Sequence, residues 1–145
     1  MYRNILLAVD LGHKDAERRA VETVVEYARA FGSTIHLMTV VPDFGMPLVG
    51  GFFPEGFEKD ALDRANQELH AYAAQMIPSE IPQRTIVGHG GIYREILHWA
   101  QETAADVIVM SAHRPELEDY LLGPNAARVV RHAKTSVLVV RPRPA

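Results

Sequence analysis

The feature that most constrains this chain is where its apolar residues run without a break. Arg3 to Val9 is such a run, closed by Asp10; Val107 to Met110 is another, followed by Ser111; and Ser136 to Arg141 is a third, stopped by Pro142. A strand with one face in water alternates apolar and polar residues, whereas one that is apolar throughout is covered on both faces, as in a parallel sheet between helices. Thr34 to Val41, rich in β-branched residues and closed by Pro42, is a further strand, and Arg84 to Val87 is a short one suited to an edge.

Between these runs the period changes. Ala16, Ala20, Val21, Val24, Val25, Ala28 and Phe31 recur at helical spacing and stop at Gly32, which predicts a helix over 15–31. Phe57, Ala61, Leu62, Ala65, Leu69, Tyr72, Ala73 and Met76 mark a long helix ended by Pro78, and Ile92, Ile96, Leu97, Trp99 and Ala100 mark another. Ala126, Ala127, Val129, Val130 and Ala133 mark a last helix that starts near Pro124. The expected result is an α/β fold: a single domain over 1–145, doubly wound, with a five-stranded parallel sheet in the order 3-2-1-4-5 and helices on both faces. In that order the winding reverses between strands one and four, and ligands bind beyond the carboxyl ends of the strands at such a point. Those ends are Ala8, Val9 and Asp10, and Met110 and Ser111.

Two glycine-bearing segments invite a phosphate reading. Gly123-Pro124-Asn125 opens the last helix, where the backbone N–H groups of Asn125 and Ala126 have no intrahelical acceptor and the helix dipole favours an anion; the same residues also serve as a plain helix start. Gly88, Gly90 and Gly91 lie between a strand and a helix, but a dinucleotide fingerprint needs glycine at position 93, which is Tyr93, and an acidic residue about 20 positions on. There is no Walker-type sequence. The stretch 43–56 carries four glycines, two prolines and Phe44, Phe52 and Phe53, and reads equally as a lid on its own domain or as a contact with a partner or another copy.

Composition excludes several classes. A formal net charge of −3 leaves no basic footprint for nucleic acid, the lack of cysteine removes disulfides and thiol catalysis, and no apolar run nears the roughly 18 residues of a membrane span. The start of the chain does not resemble a signal peptide, which points to a cytoplasmic protein without membrane insertion. His89, His113 and His132 lack the spacing of a metal site.

Taken together, the residues resemble the universal stress protein family over all 145 positions. Nucleotide-binding members carry G-x-x-G-x9-G-[ST] after strand four, an Asp at the end of strand one, and a closing apolar strand followed by Arg and Pro. The corresponding elements here are Ser111 to Arg114, Gly123-Pro124-Asn125, Ala8-Val9-Asp10, and Val137 to Pro142. Ser111 and Arg114 replace the first two glycines, the gap to Gly123 is one residue short, and Pro124 replaces the Ser or Thr. Arg114 offers a guanidinium to phosphate where a glycine offers only backbone. More narrowly, 113–117, 120–133 and 40–46 resemble the ATP-binding branch that works with a TRAP-type ectoine transporter.

The resemblance implies a site for ATP, with or without Mg2+. Ala8, Val9 and Asp10 would line the nucleoside side, and the backbone of Val40 would read the adenine edge. Met110 and Ser111 would flank the ribose, while Arg114, Gly123, Pro124, Asn125 and Ala126 would surround the phosphates. His113 is either a phosphate contact or a solvated loop residue, and Asp10 is equally a helix cap. Three functions follow: a nucleotide-responsive regulator, expected first; a nucleotide-free dimeric adaptor; and last a slow ATPase or phosphotransferase, for which no carboxylate is marked as catalytic. The closing strand lies at a sheet edge and is apolar from Val137 to Val140. Uncovered, such a strand tends to pair with another chain, and the resemblance implies an antiparallel homodimer through it, or a higher oligomer.

Overall fold

The computed structural model describes residues 1–42, 56–112 and 123–141. Five strands, β1 (Asn4–Ala8), β2 (Thr34–Val41), β3 (Gln83–His89), β4 (Val107–Ser111) and β5 (Ser136–Val140), form one parallel sheet ordered β3-β2-β1-β4-β5. The helices are α1 (Lys14–Phe31), α2 (Phe57–Met76), α3 (Ile92–Glu102) and α4 (Pro124–His132), with a 3-10 turn at Leu11–His13 before α1. This is the doubly wound architecture and strand order expected from the sequence. The glycine-rich stretch 43–55, His113 and Arg114 lie outside the described residues.

The unbroken apolar runs are explained by two cores, one on each face of the sheet. Ile5, Leu7 and Val9 of the first run pack with Val21, Val24, Leu37, Leu69 and Val109 under α1 and α2. Leu6 points the other way and packs with Met38, Ile86, Ile96, Ile108 and Val129 under α3 and α4. Each strand therefore supplies both cores by period-two alternation, and only the edge strands expose a residue, Arg84 in β3 and Ser136 in β5. Asp106 sets the register at the amino-terminal edge, accepting the backbone N–H groups of Arg3 and Asn4 at 2.8 Å each.

Two boundaries show local chemistry at work. Gly32 ends α1 in the left-handed conformation (φ 67°) with its N–H on the carbonyl of Ala28, as its position after the apolar stripe predicts. β3 runs further than Arg84 to Val87: Gly88 and His89 continue the ladder opposite Val40 and Val41. Pairing with the long β2 overrides the low strand propensity of glycine, and Gly90 (φ 130°) makes the turn into α3.

Candidate functional site

Beyond the carboxyl ends of β1 and β4 the sheet opens into a cleft of about 390 Å³, within the roughly 300–1,000 Å³ usual for small-molecule sites. Its walls are Ala8, Val9 and Asp10 from the end of β1, Val40 from β2, Met110 and Ser111 from β4, and Gly123, Pro124, Asn125 and Ala126 at the start of α4. These are ten of the twelve candidate residues, the other two being His113 and Arg114.

Each wall is held by bonds that leave the ligand side open. Val9 donates its N–H to the carbonyl of Met38 at 2.8 Å and accepts the Thr39 hydroxyl at 2.9 Å, so the end of β1 is tied to β2 twice. Asp10 caps the 3-10 turn rather than α1. One carboxylate oxygen accepts the Gly12 N–H at 2.9 Å and the other meets Nδ1 of His13 at 3.0 Å, while half of the side chain remains exposed in the cleft mouth. The expected cap of the first helix is thus a cap of the turn before it, His13 standing at the start of α1, and Asp10 also lines the cleft. Ser111 sends its hydroxyl back to the carbonyl of Ala16 at 3.1 Å, and Ala112 donates to the carbonyl of Val140 at 2.9 Å.

Gly123 enters α4 in an extended conformation (φ −65°, ψ 160°) with no side-chain cap, and Pro124 fills the first helical position. The first intrahelical bond is Ala127 N–H to Gly123 carbonyl, 3.0 Å. The N–H groups of Asn125 and Ala126 therefore precede any helical acceptor, at the positive end of the helix dipole, on the cleft wall.

The cleft also recruits residues that the sequence reading did not assign to it: His13, Glu17, Thr39, Pro42, Ile92 and Ile96. Glu17 was legible in principle. It interrupts the apolar stripe of α1 one turn before Val21 and two before Val24, a carboxylate where the pattern calls for a hydrophobe, and it is 2% exposed. Its field shows in Tyr72, whose phenol is pushed up to about 12 by burial first and by the Glu17 carboxylate second. Ile92 and Ile96 sit one helical turn apart at the start of α3 and give the cleft its apolar side.

The glycines before α3 serve a different purpose from phosphate binding. Glu95 reaches back from the first turn of α3 to accept the N–H of His89 at 3.0 Å, and Gly88 lies against that side chain. With the Gly90 N–H on the Val41 carbonyl at 3.0 Å, two backbone donors of this turn are thus already used within the fold. Among the described residues no group of three or more His, Asp or Glu is placed to hold a metal ion, and no helix is long and apolar enough to cross a membrane.

Sheet order, crevice and a helix start on the cleft wall define a doubly wound α/β domain with a ligand-sized cleft at its switch point. The chain belongs to the universal stress protein family, whose sequence pattern it matches over residues 1–141. It is 32% identical to Universal stress protein G of Escherichia coli O157:H7, over 97% of this chain and all of that one. Among solved structures it is similar to hypothetical protein MJ0577 (TM-score 0.82, 20% identity, 100% and 99% of the two chains). It also matches a universal stress protein in complex with cAMP (TM-score 0.60, 23% identity, 98% of each chain). A third match is the Archaeoglobus fulgidus universal stress protein in complex with dAMP (TM-score 0.57, 21% identity, 96% and 98%).

Proposed function

We propose that the cleft binds an adenine nucleotide, ATP in the first instance, and that its occupancy changes the surface offered to a partner, making the chain a nucleotide-responsive regulatory protein of the stress response. The observation that carries this reading is the polarity of the cleft. Its lining combines the Asp10 carboxylate, an acceptor for ribose hydroxyls, the two N–H groups at the start of α4, and the apolar side chains of Val40, Met110, Ile92 and Ile96. A nucleotide carries ribose hydroxyls between a flat apolar base and an anionic phosphate, groups that these walls can each meet, and helix starts suit phosphate. The cAMP and dAMP complexes of related proteins support an adenine nucleotide as the class. Any Mg2+ would ride on the phosphates and water rather than in a protein cage.

In this reading Ala8, Val9, Asp10 and Val40 hold the nucleoside, Met110 and Ser111 flank the ribose, and Gly123, Pro124, Asn125 and Ala126 face the phosphates, joined by Arg114 and His113. The protein works as a homodimer through β5. The narrower resemblance to the transporter-linked branch extends the proposal to its partner, a TRAP-type transporter of an ectoine-like osmolyte. A second reading, a nucleotide-free dimeric adaptor, is favoured by Ser111, Arg114 and Pro124 standing where nucleotide-binding members have two glycines and a Ser or Thr.

The deciding experiment is chromatography of small molecules released by heat from protein purified without added nucleotide, with Arg114→Ala beside it. Stoichiometric ATP from the first and little from the second supports the regulator; ADP moves weight to slow hydrolysis. No nucleotide in either, and no thermal shift on adding ATP, leaves the adaptor.

A further inference from the structure

We propose that the outer face of α3 and α4 is a docking surface for an acidic segment of a partner protein, with Arg94, Arg128 and His132 grouped around Tyr93 as its recognition element. The Arg94 guanidinium lies 5.9 Å from the Tyr93 ring centroid and that of Arg128 5.2 Å, while the His132 ring stacks on it at 6.1 Å and 28°. Arg94 Nε also donates to the Tyr93 hydroxyl at 3.4 Å. Two helices, not one, supply the cluster, so tertiary packing builds it.

Local helix electrostatics does not account for it. His132, in the last turn of α4, suits the negative end of that helix, but Arg94 sits in the first turn of α3, where the dipole disfavours a cation. Neither Arg94 nor Arg128 has a carboxylate within ion-pair distance among the described residues, whereas Lys14 meets Glu68 at 3.2 Å and Arg29 meets Glu80 at 3.5 Å. On a chain of net charge −3 this is a concentrated excess of the minority sign. The phenol registers it: the hydrogen bond and charge of Arg94, then the charge of Arg128, hold Tyr93 below its usual value.

A guanidinium laid over a ring uses its face and keeps edge N–H groups for a carboxylate, and the ring holds it ready at reduced entropic cost. Arg94, Arg128 and His132 are exposed. Two guanidiniums and an imidazole about one ring are too few and too narrow for an anionic bilayer, which takes clusters of about four to eight basic residues. They match two or three neighbouring Glu or Asp side chains of a peptide. The surface stands whether or not the cleft of the same two helices holds nucleotide.

The test is fluorescence anisotropy of a labelled hexaglutamate peptide with the full chain, with and without ATP. Binding that weakens with salt is expected, and Arg94→Gln with Arg128→Gln should weaken it at least about tenfold. Lys59→Gln with Arg64→Gln, exposed cations on α2, should leave it unchanged. No binding at about 20 mM salt, where screening is weak, overturns the proposal. So does an equal loss in the two double variants, or capture by phosphatidylglycerol vesicles but not by the peptide. Unchanged thermal midpoints exclude unfolding as the cause.

Discussion

The Ser111 hydroxyl at the end of β4 donates to the carbonyl of Ala16 in the first turn of α1, 3.1 Å away, and so ties the ligand side of the sheet to the helix beside it. Family members with glycine at this position have no such bond. Ser111→Gly removes it and adds backbone freedom, so it should cost about 1–2 kcal/mol in a urea titration. It also bares the backbone to the ligand. Adenine-nucleotide affinity in calorimetry should hold or rise; a loss of affinity at unchanged stability would assign the Ser111 hydroxyl to the ligand instead.

Gly88 and Glu95 meet more closely than a side chain at position 88 would allow. A Cβ there would lie 3.1 Å from Glu95 Oε1, 3.2 Å from Glu95 Cβ and 3.3 Å from Met38 Cε. Glu95 cannot swing aside without giving up the His89 N–H, and Met38 is fully buried. Gly88→Ala should therefore destabilise by about 1–3 kcal/mol, as overpacking does, with nucleotide content unaltered. An unchanged urea midpoint would show that the Glu95 contact is slack.

His36, buried in β2, donates from Nε2 to Asn4 Oδ1 across 3.0 Å, and burial, with the Arg84 charge second, lowers its pKa from 6.5. A lowered folded value means that the unfolded chain binds the proton first. The contribution is complete above pH 6.5, is lost as pH falls from there through the folded value, and changes no further below it. The slope cannot exceed about 1.4 kcal/mol per pH unit for one proton. Urea midpoints of the parent and His36→Gln, measured from pH 8 to 5, should converge as the pH drops; parallel curves would place the acid sensitivity elsewhere.

The doubly wound sheet was legible because its strands advertise burial on both faces, and the crevice followed from strand order: Ala8 to Asp10 and Met110 to Ser111 meet only if β1 and β4 are neighbours. Periodicity says which face a residue takes but not which neighbour it meets across the fold. Ile92 and Ile96 read as core residues of α3, yet the start of that helix overhangs the ends of β1 and β4, so they line the cleft as well. Thr39 was hidden beside Val40, and its role rests on a bond to Val9, 30 residues away. Gly88 and His89 read as loop because a glycine's strand pairing is set by its partner strand, here β2.

Among the described residues β5 is hydrogen-bonded to β4 alone, and its backbone has a definite handedness at the other edge. Val140 pairs with Ser111 and accepts the N–H of Ala112, so Val140 and, by alternation in a parallel ladder, Leu138 and Ser136 turn their backbone groups toward β4. Val137 and Val139 then aim theirs outward, at the open edge, from a strand that is apolar on both faces. Val139→Pro deletes one outward N–H and no bond of the ladder, a placement that proline tolerates in an edge strand. The protomer should stay folded, with its far-ultraviolet spectrum intact, while a dimer paired antiparallel along β5 loses a central bond and its close approach. Sedimentation velocity should show monomer where the parent sediments as a dimer. A dimer that survives with unchanged dissociation would move the interface away from β5, whereas a variant that unfolds would mean that Val139 donates within the sheet and that the alternation deduced from Val140 is reversed.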